Sequence, residues 1–176
     1  MTGLGCSNER VLAILESDGH WLSGLADGEG CFFARLNPVP KPDRRVHPNR
    51  HVEFEIALRL DDYETLKEVQ RILGCGFVTA QNVQRGKEKP RCKFYVRRVE
   101  DCRNVVVPFF HRFPLRSKKG RDFLIWAGIV ETCWRVMRRP RTGPFRWSPE
   151  DHSEFVQRLE ELRQVRKYDP IGDKFL

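Results

Sequence analysis

The chain has 176 residues, 40% of them hydrophobic, and a formal net charge of +8 from 32 Lys+Arg against 24 Asp+Glu. That length suits one compact domain with a helical extension, and the apolar content suffices for a core. No run of about 18 apolar residues offers a membrane span, and MTGLGCSNERVLAILES lacks the pattern of a secretory signal, so an intracellular protein without a membrane anchor is expected.

Arginine outnumbers lysine 23 to 9. A basic balance favours a polyanionic partner, and arginine's planar fork suits guanine edges as well as phosphates. The six cysteines, Cys6, Cys31, Cys75, Cys92, Cys102 and Cys133, form no C-x-x-C pair and no zinc-like spacing. They read as reduced, buried or half-buried thiols.

In chain order, residues 7–16 predict a short amphipathic helix capped by Ser7 or Asn8. A second helix, capped by Ser17 or Asp18, runs to about Gly28 through the small residues Ser23, Gly24 and Ala26. It ends in Asp27-Gly28-Glu29-Gly30, where glycines permit a sharp, close-approach turn. An acidic pair at a helix C-terminus opposes the helix dipole, which disfavours ordinary capping. A carboxylate on a rigid helix end in a basic protein is a candidate metal ligand at a phosphodiester.

Residues 31–37 read as a strand and the proline-rich, basic 38–49 as a loop. Residues 50–60 alternate, with Val52, Phe54, Ile56 and Leu58 on one face and His51, Glu53, Glu55 and Arg59 on the other. Leu66, Val69, Ile72 and Leu73 give 62–73 helical spacing, ended by Gly74 and Gly76. Strands follow at 77–83 and 91–99, then helices at 101–112, 121–138 and 149–167, the last with Ser148 as cap and Pro149 at its first position.

The core order is therefore α-β-β-α-β-β-α, an α+β fold with helices covering one face of a four-stranded antiparallel sheet and extra helices after it. The open face carries Arg35, Asn37, His51, Arg59, Thr79, Gln81, Arg91, Lys93, Tyr95 and Arg97. These are donors suited to base edges and phosphates of DNA or RNA. Glu53 and Glu55 weigh against that use, although a glutamate can accept from a cytosine amino group.

With these elements in order, LSGLADGEG at 22–30 resembles the LAGLIDADG motif of homing endonucleases, and the chain resembles that family over about 18–138. Supporting landmarks are FEIALRLDDYETLKEVQRILGCG at 54–76 and FPLRSKKGRDFLIW at 113–126. The resemblance divides the chain into an N-terminal extension (1–17), the core domain (18–138), and a linker with a C-terminal helix (139–176).

The resemblance also implies roles. Glu29 would be the metal-binding catalytic carboxylate, the Gly28 carbonyl would join the metal shell, and Asp27 would stabilise the turn. Mg²⁺ is the implied metal, because a hard cation takes carboxylate, phosphate and water oxygens. Lys118 matches the family's active-site lysine, with Lys119 as the alternative. Some relatives carry a glutamine at the end of the second strand. A gapless reading puts Leu58 there, with Arg59 adjacent.

One motif in one unit implies a homodimer packed through Leu22, Gly24 and Leu25, reading a near-palindromic double-stranded DNA site. Site-specific DNA hydrolysis is the function implied. The alternatives are an intron-RNA-binding maturase, for which Arg135, Arg138, Arg139, Arg141 and Arg146 form a candidate surface, and a catalytically inactive DNA-binding regulator.

Overall fold

The computed structural model describes residues 5–37, 49–81, 90–139 and 147–167, with side chains at 9–36, 50–80, 90–139 and 147–167. Residues 38–48 of the loop expected at 38–49, residues 82–89 between the second pair of strands, the side chains of the cap residues Ser7 and Asn8 and of Asn37 and Gln81, and Arg141 and Arg146 lie outside the described part of the structure, while Asn49 already belongs to a strand.

Helix α1 (Gly5–Leu12) leads into α2 (Glu16–Glu29) and the hairpin β1 (Gly30–Asn37) and β2 (Asn49–Arg59). Helix α3 (Tyr63–Leu73) precedes the second hairpin, β3 (Phe77–Gln81) and β4 (Arg91–Val96). The two hairpins join through β2 and β4, so the sheet order is β1-β2-β4-β3 and every pairing is antiparallel. The α+β fold and the αββαββα order are those read from the sequence.

The helix side of the sheet is aromatic. Phe32, Phe54 and Phe94 alternate onto it, and Phe110 meets Phe32 and Phe54 edge-on at 5.3 and 5.2 Å between ring centroids. Such pairs add to the area they bury. Leu66, Val69, Ile72 and Leu73 of α3 are buried as their spacing requires, and Gly74 ends the helix in the left-handed conformation, φ 63°.

Strand β4 stops at Val96, three residues short of the expected end, because Val99 opens the next helix. That helix runs as α4 (Val99–Asp101), a π turn (Cys102–Val106) and α5 (Val107–Arg112). Pro108 explains the π turn: it has no N–H for the carbonyl four residues back, so the ladder widens and the Val107 amide donates to Cys102 instead.

The described part of the N-terminal segment, from Gly5, touches the core. Val11 and Ile14 are buried in the common core, and Arg112 donates to the Val11 and Leu12 carbonyls at 2.6 and 2.8 Å. At the other end, α6 (Lys119–Arg138) covers β1 and its Trp126 Nε1 donates to the Phe33 carbonyl. Helix α7 (Pro149–Val165) packs on α6, started by the expected Ser148 cap, which forms a full capping box with Asp151. Cys92, Cys102 and Cys133 are buried and Cys31 and Cys75 half-buried, all five as free thiols. No helix among the described residues is long and apolar enough to cross a membrane.

Candidate active site and nucleic-acid interface

Helix α2 begins one residue before the expected Ser17 or Asp18 cap, with Leu15 at the cap position, and Glu16 and Asp18 bring negative charge to its first turn. It remains helical through Glu29. Gly30 then turns directly into β1 with φ −73° and ψ 151°. Neither Gly28 nor Gly30 adopts a positive φ. What Gly30 supplies is closeness: a Cβ there would lie 2.5 Å from the Ala26 carbonyl oxygen. Helix and strand therefore join without a loop, and Glu29 projects from the last helical turn, exposed and with no hydrogen bond or ion pair among the described residues.

Asp27, expected to stabilise the turn, holds a segment distant in sequence. Its carboxylate accepts from the Arg116 amide at 2.8 Å, the Ser117 amide at 3.0 Å and the Ser117 hydroxyl at 2.6 Å. Partial burial alone would raise its pKa; those three donors overcome that and hold it below the ordinary aspartate value. Ser23 assists one turn earlier, its hydroxyl donating to the Phe113 carbonyl at 3.0 Å. Residues 113–118 are thus strapped to α2.

The strap decides which lysine reaches the helix end. Lys119 Nζ donates to the Gly28 carbonyl at 2.5 Å and to the Ala26 carbonyl at 3.4 Å. Lys118 caps α6, is exposed, and makes no side-chain hydrogen bond or ion pair with α2 among the described residues.

The sheet's open face gathers the expected residues. The registers Arg35↔His51, Arg59↔Arg91, Thr79↔Lys93 and Gln81↔Arg91 put them on one side. Asn37 holds its register position opposite Asn49. Arg35 and Arg91 are exposed, Arg35 beside the Phe33 ring. Thr79 turns its hydroxyl to the Lys93 carbonyl at 3.5 Å. Tyr95 lies beside Phe77, which is 58% exposed, and Arg97 stacks over Tyr95 at 4.1 Å. Leu58 points to the helix side and joins the core, while Arg59 stands on the open face in a two-pronged pair with Asp61.

Two features of this face were not anticipated from the sequence, its exposed rings and the covering of Glu53. Phe33 and Phe77 add flat apolar rings to it, and strand alternation carried that signal. Glu53 is a hub, its side chain only 3% exposed beneath His51, Lys93 and Arg97. Burial alone would raise its pKa, but hydrogen bonds from Arg97 and Lys93, with Glu55 and His51 adding, hold it at about 2. It is therefore covered rather than offered to a base edge.

The proposed contact face of α2 divides in two. Leu22, expected to face a partner, is 0% exposed and packs inward. Trp21, 42% exposed, lies with Gly24, Leu25 and Gly28 along the outward side, where a Cβ on Gly24 or Gly28 would meet nothing within 4 Å. A cleft of about 360 Å³ beside them is lined by His20, Ser23, Gly24, Asp27, Pro114 and Arg116.

The arginines at the end of α6 are engaged internally. Arg135 and Arg139 pair with the buried Asp151, Arg135 also with Glu154, and Arg138 lies over the Trp134 ring at 5.6 Å. Among the described residues no three His, Cys, Asp or Glu side chains cluster as a metal site.

Residues 22–130 match the LAGLIDADG endonuclease family. A probable intron-encoded endonuclease 2 of Neurospora crassa is 25% identical over 118 residues, covering 67% of this chain and 23% of the relative. The probable intron-encoded endonuclease Cox1-I1b of Schizosaccharomyces pombe is 22% identical over 157 residues, covering 89% and 36%. The chain thus spans about a quarter to a third of these relatives' length. Among solved structures, the LAGLIDADG homing endonuclease I-SmaMI bound to cleaved DNA superposes with a TM-score of 0.69 at 23% identity, over 87% of this chain and 46% of that one. The homing endonuclease I-TnaI gives 0.64 at 22% identity, over 84% and 94%. At these identities the structural likeness speaks for the fold.

Proposed function

The chain belongs to the LAGLIDADG endonuclease family, and from that premise we propose that it is a site-specific, divalent-metal-dependent endonuclease of double-stranded DNA, acting as a homodimer on a long near-palindromic site. The observation that carries this reading is Glu29: an unpaired carboxylate at the end of α2, where β1 enters a sheet whose open face is rich in cations.

The donor chemistry fits a hard cation such as Mg²⁺. Glu29 offers carboxylate oxygens and Gly28 a carbonyl; phosphate and water oxygens would complete the shell. One unit offers too few ligands to hold the ion alone. A second copy, related by a two-fold axis along the outward side of α2, would bring a second Glu29 and Gly28. The open space at Gly24 and Gly28 supports such close packing, with Trp21 and Leu25 at its margins. When bound, the metal would favour hydroxide over water and stabilise the leaving oxygen.

The protein's own groups do the rest. Lys119 supplies a positive charge at the helix end to stabilise charge developing on the attacked phosphate. Asp27 holds the 116–117 backbone, and through it Lys119, in place. Arg35, Arg59, Arg91 and Lys93 would meet phosphates and base edges, while Tyr95, Phe33 and Phe77 give apolar surface for thymine methyl groups. The maturase alternative loses ground because Arg135 and Arg139 are spent on Asp151.

The test is selection from a randomised duplex library with purified protein and Mg²⁺, with Glu29→Gln in parallel. Enrichment of cut near-palindromic sites, lost in the variant, is expected. Cutting by the variant at the native rate overturns the role of Glu29. Binding without cutting in any divalent metal replaces this reading with that of a regulator.

A further inference from the structure

We infer that Glu53 is a positioning residue for sequence discrimination, fixing His51, Lys93 and Arg97 over the centre of the open face; this rests on the reading of that face as the DNA surface. A glutamate on the solvent side of a sheet ordinarily points into water. This one lies under its partners, with Lys93 Nζ at 2.6 Å, His51 Nε2 at 3.0 Å and the Arg97 Nε in direct contact. By register Lys93 stands opposite Ala57, yet its ammonium reaches back along β2 to Glu55 and Glu53. Arg97 is held twice, by Glu53 and by stacking on Tyr95.

Two consequences follow from electrostatics. A free cation on a flexible stem meets any phosphate, and each such contact adds sequence-independent, salt-dependent affinity. A cation already tied to a carboxylate contributes less of that term. Its remaining donors keep a fixed direction, so the cost of ordering them is met before DNA arrives. Glu53 therefore suppresses general phosphate binding and sharpens choice among sequences. Its burial removes it from direct base contact, so it acts through its three partners.

The experiment compares native protein, Glu53→Gln and Glu55→Gln. Each binds the duplex enriched by selection and a non-enriched duplex of equal length, across a salt series. For Glu53→Gln, binding to the non-enriched duplex should tighten and its salt slope steepen by about one. Preference for the enriched duplex should fall about tenfold. Glu55→Gln, which removes one of the two carboxylates on Lys93 and leaves Glu53 with all three of its partners, should shift both in the same direction by less. A merely structural glutamate would weaken both duplexes alike and leave the ratio and slope unchanged, and that result overturns the proposal. Should Glu53→Gln fail to fold, Glu53→Asp decides: it keeps the charge but shortens the reach to the three partners, and an unchanged ratio and slope are again fatal. Native protein that binds neither duplex removes the DNA reading itself, and this inference with it.

Discussion

Lys119 and Gly28 meet across 91 positions of sequence, the ammonium donating to the carbonyl at 2.5 Å. Lys118, one residue away, faces solvent as the cap of α6. Lys119→Met is therefore expected to lower the cleavage rate by about a hundredfold, and Lys118→Met by far less. Single-turnover cleavage of the selected duplex measures both; the reverse order would return the role to Lys118. Asp27→Ala, which releases the 116–117 amides, should weaken folding by about 1 kcal/mol and slow cleavage together.

For Glu29→Gln the expectation is a separation of binding from chemistry. The neutral amide keeps the shape of the helix end and removes a charged oxygen ligand. Cleavage should fall about a hundredfold or more while affinity for the selected duplex in calcium or without metal stays within a few-fold. Chelation of the native protein should give the same phenotype.

Gly19 and Gly24 lie on one helix with opposite surroundings. A Cβ at Gly19 would enter the Phe113 ring at 2.2 Å; at Gly24 it would meet open space. Gly19→Ala should therefore destabilise the monomer by about 2 kcal/mol through overpacking. Gly24→Ala should stabilise it by about 0.5–1 kcal/mol through helix propensity while weakening self-association. Thermal melting and sedimentation separate the two effects. Undiminished association of a bulkier Gly24→Leu variant would move the dimer contact elsewhere.

Acid stability should track two depressed carboxylates. Asp151 is buried; burial alone would raise its pKa, and hydrogen bonds from Ser148, Arg135 and Arg139 hold it at about 2. Glu53 is likewise held at about 2. Because their folded values lie below the unfolded ones, their stabilisation is complete above pH 4.5 and is lost as pH falls towards 2. Asp151→Asn should cost about 3 kcal/mol at neutral pH by leaving Arg135 and Arg139 unmatched, and should flatten the acid limb of a melting-temperature profile.

Local periodicity made the fold legible. Alternation in β2 and β4, and the four apolar positions of α3, identify elements because burial of one face decides them. The expected contact residues with described side chains share a face for the same reason, and Asn37 and Gln81 hold the matching register positions. Tertiary choices were not legible. Helix α2 carries small residues on several sides, so its sequence did not say that Leu22 points inward and Trp21 outward. Alternation put Glu53 on the open face but could not show that three long side chains close over it. Asp27's partners come from 90 positions away, and the phase between Lys118 and Lys119 is set by that strap. Arg135 and Arg139, candidates for a basic surface, face an aspartate on the following helix.

The order β1-β2-β4-β3 also makes the sheet a ruler. Antiparallel joining sets the Asn37/Asn49 end of the first hairpin and the Gln81/Arg91 end of the second at opposite edges of the open face, and Gly30, paired with Ile56, lies towards the second. Eight residues of β1 at about 3.4 Å each separate the far edge from the end of α2 by about 25 Å, some two thirds of a turn of B-DNA. Changes at the two edges would then alter recognition at base pairs lying far from and near to the cut. Separated by more than 10 Å, they should combine additively in free energy. One edge could be retuned for a new outer sequence while the other, and the spacing to Glu29, stayed as they are.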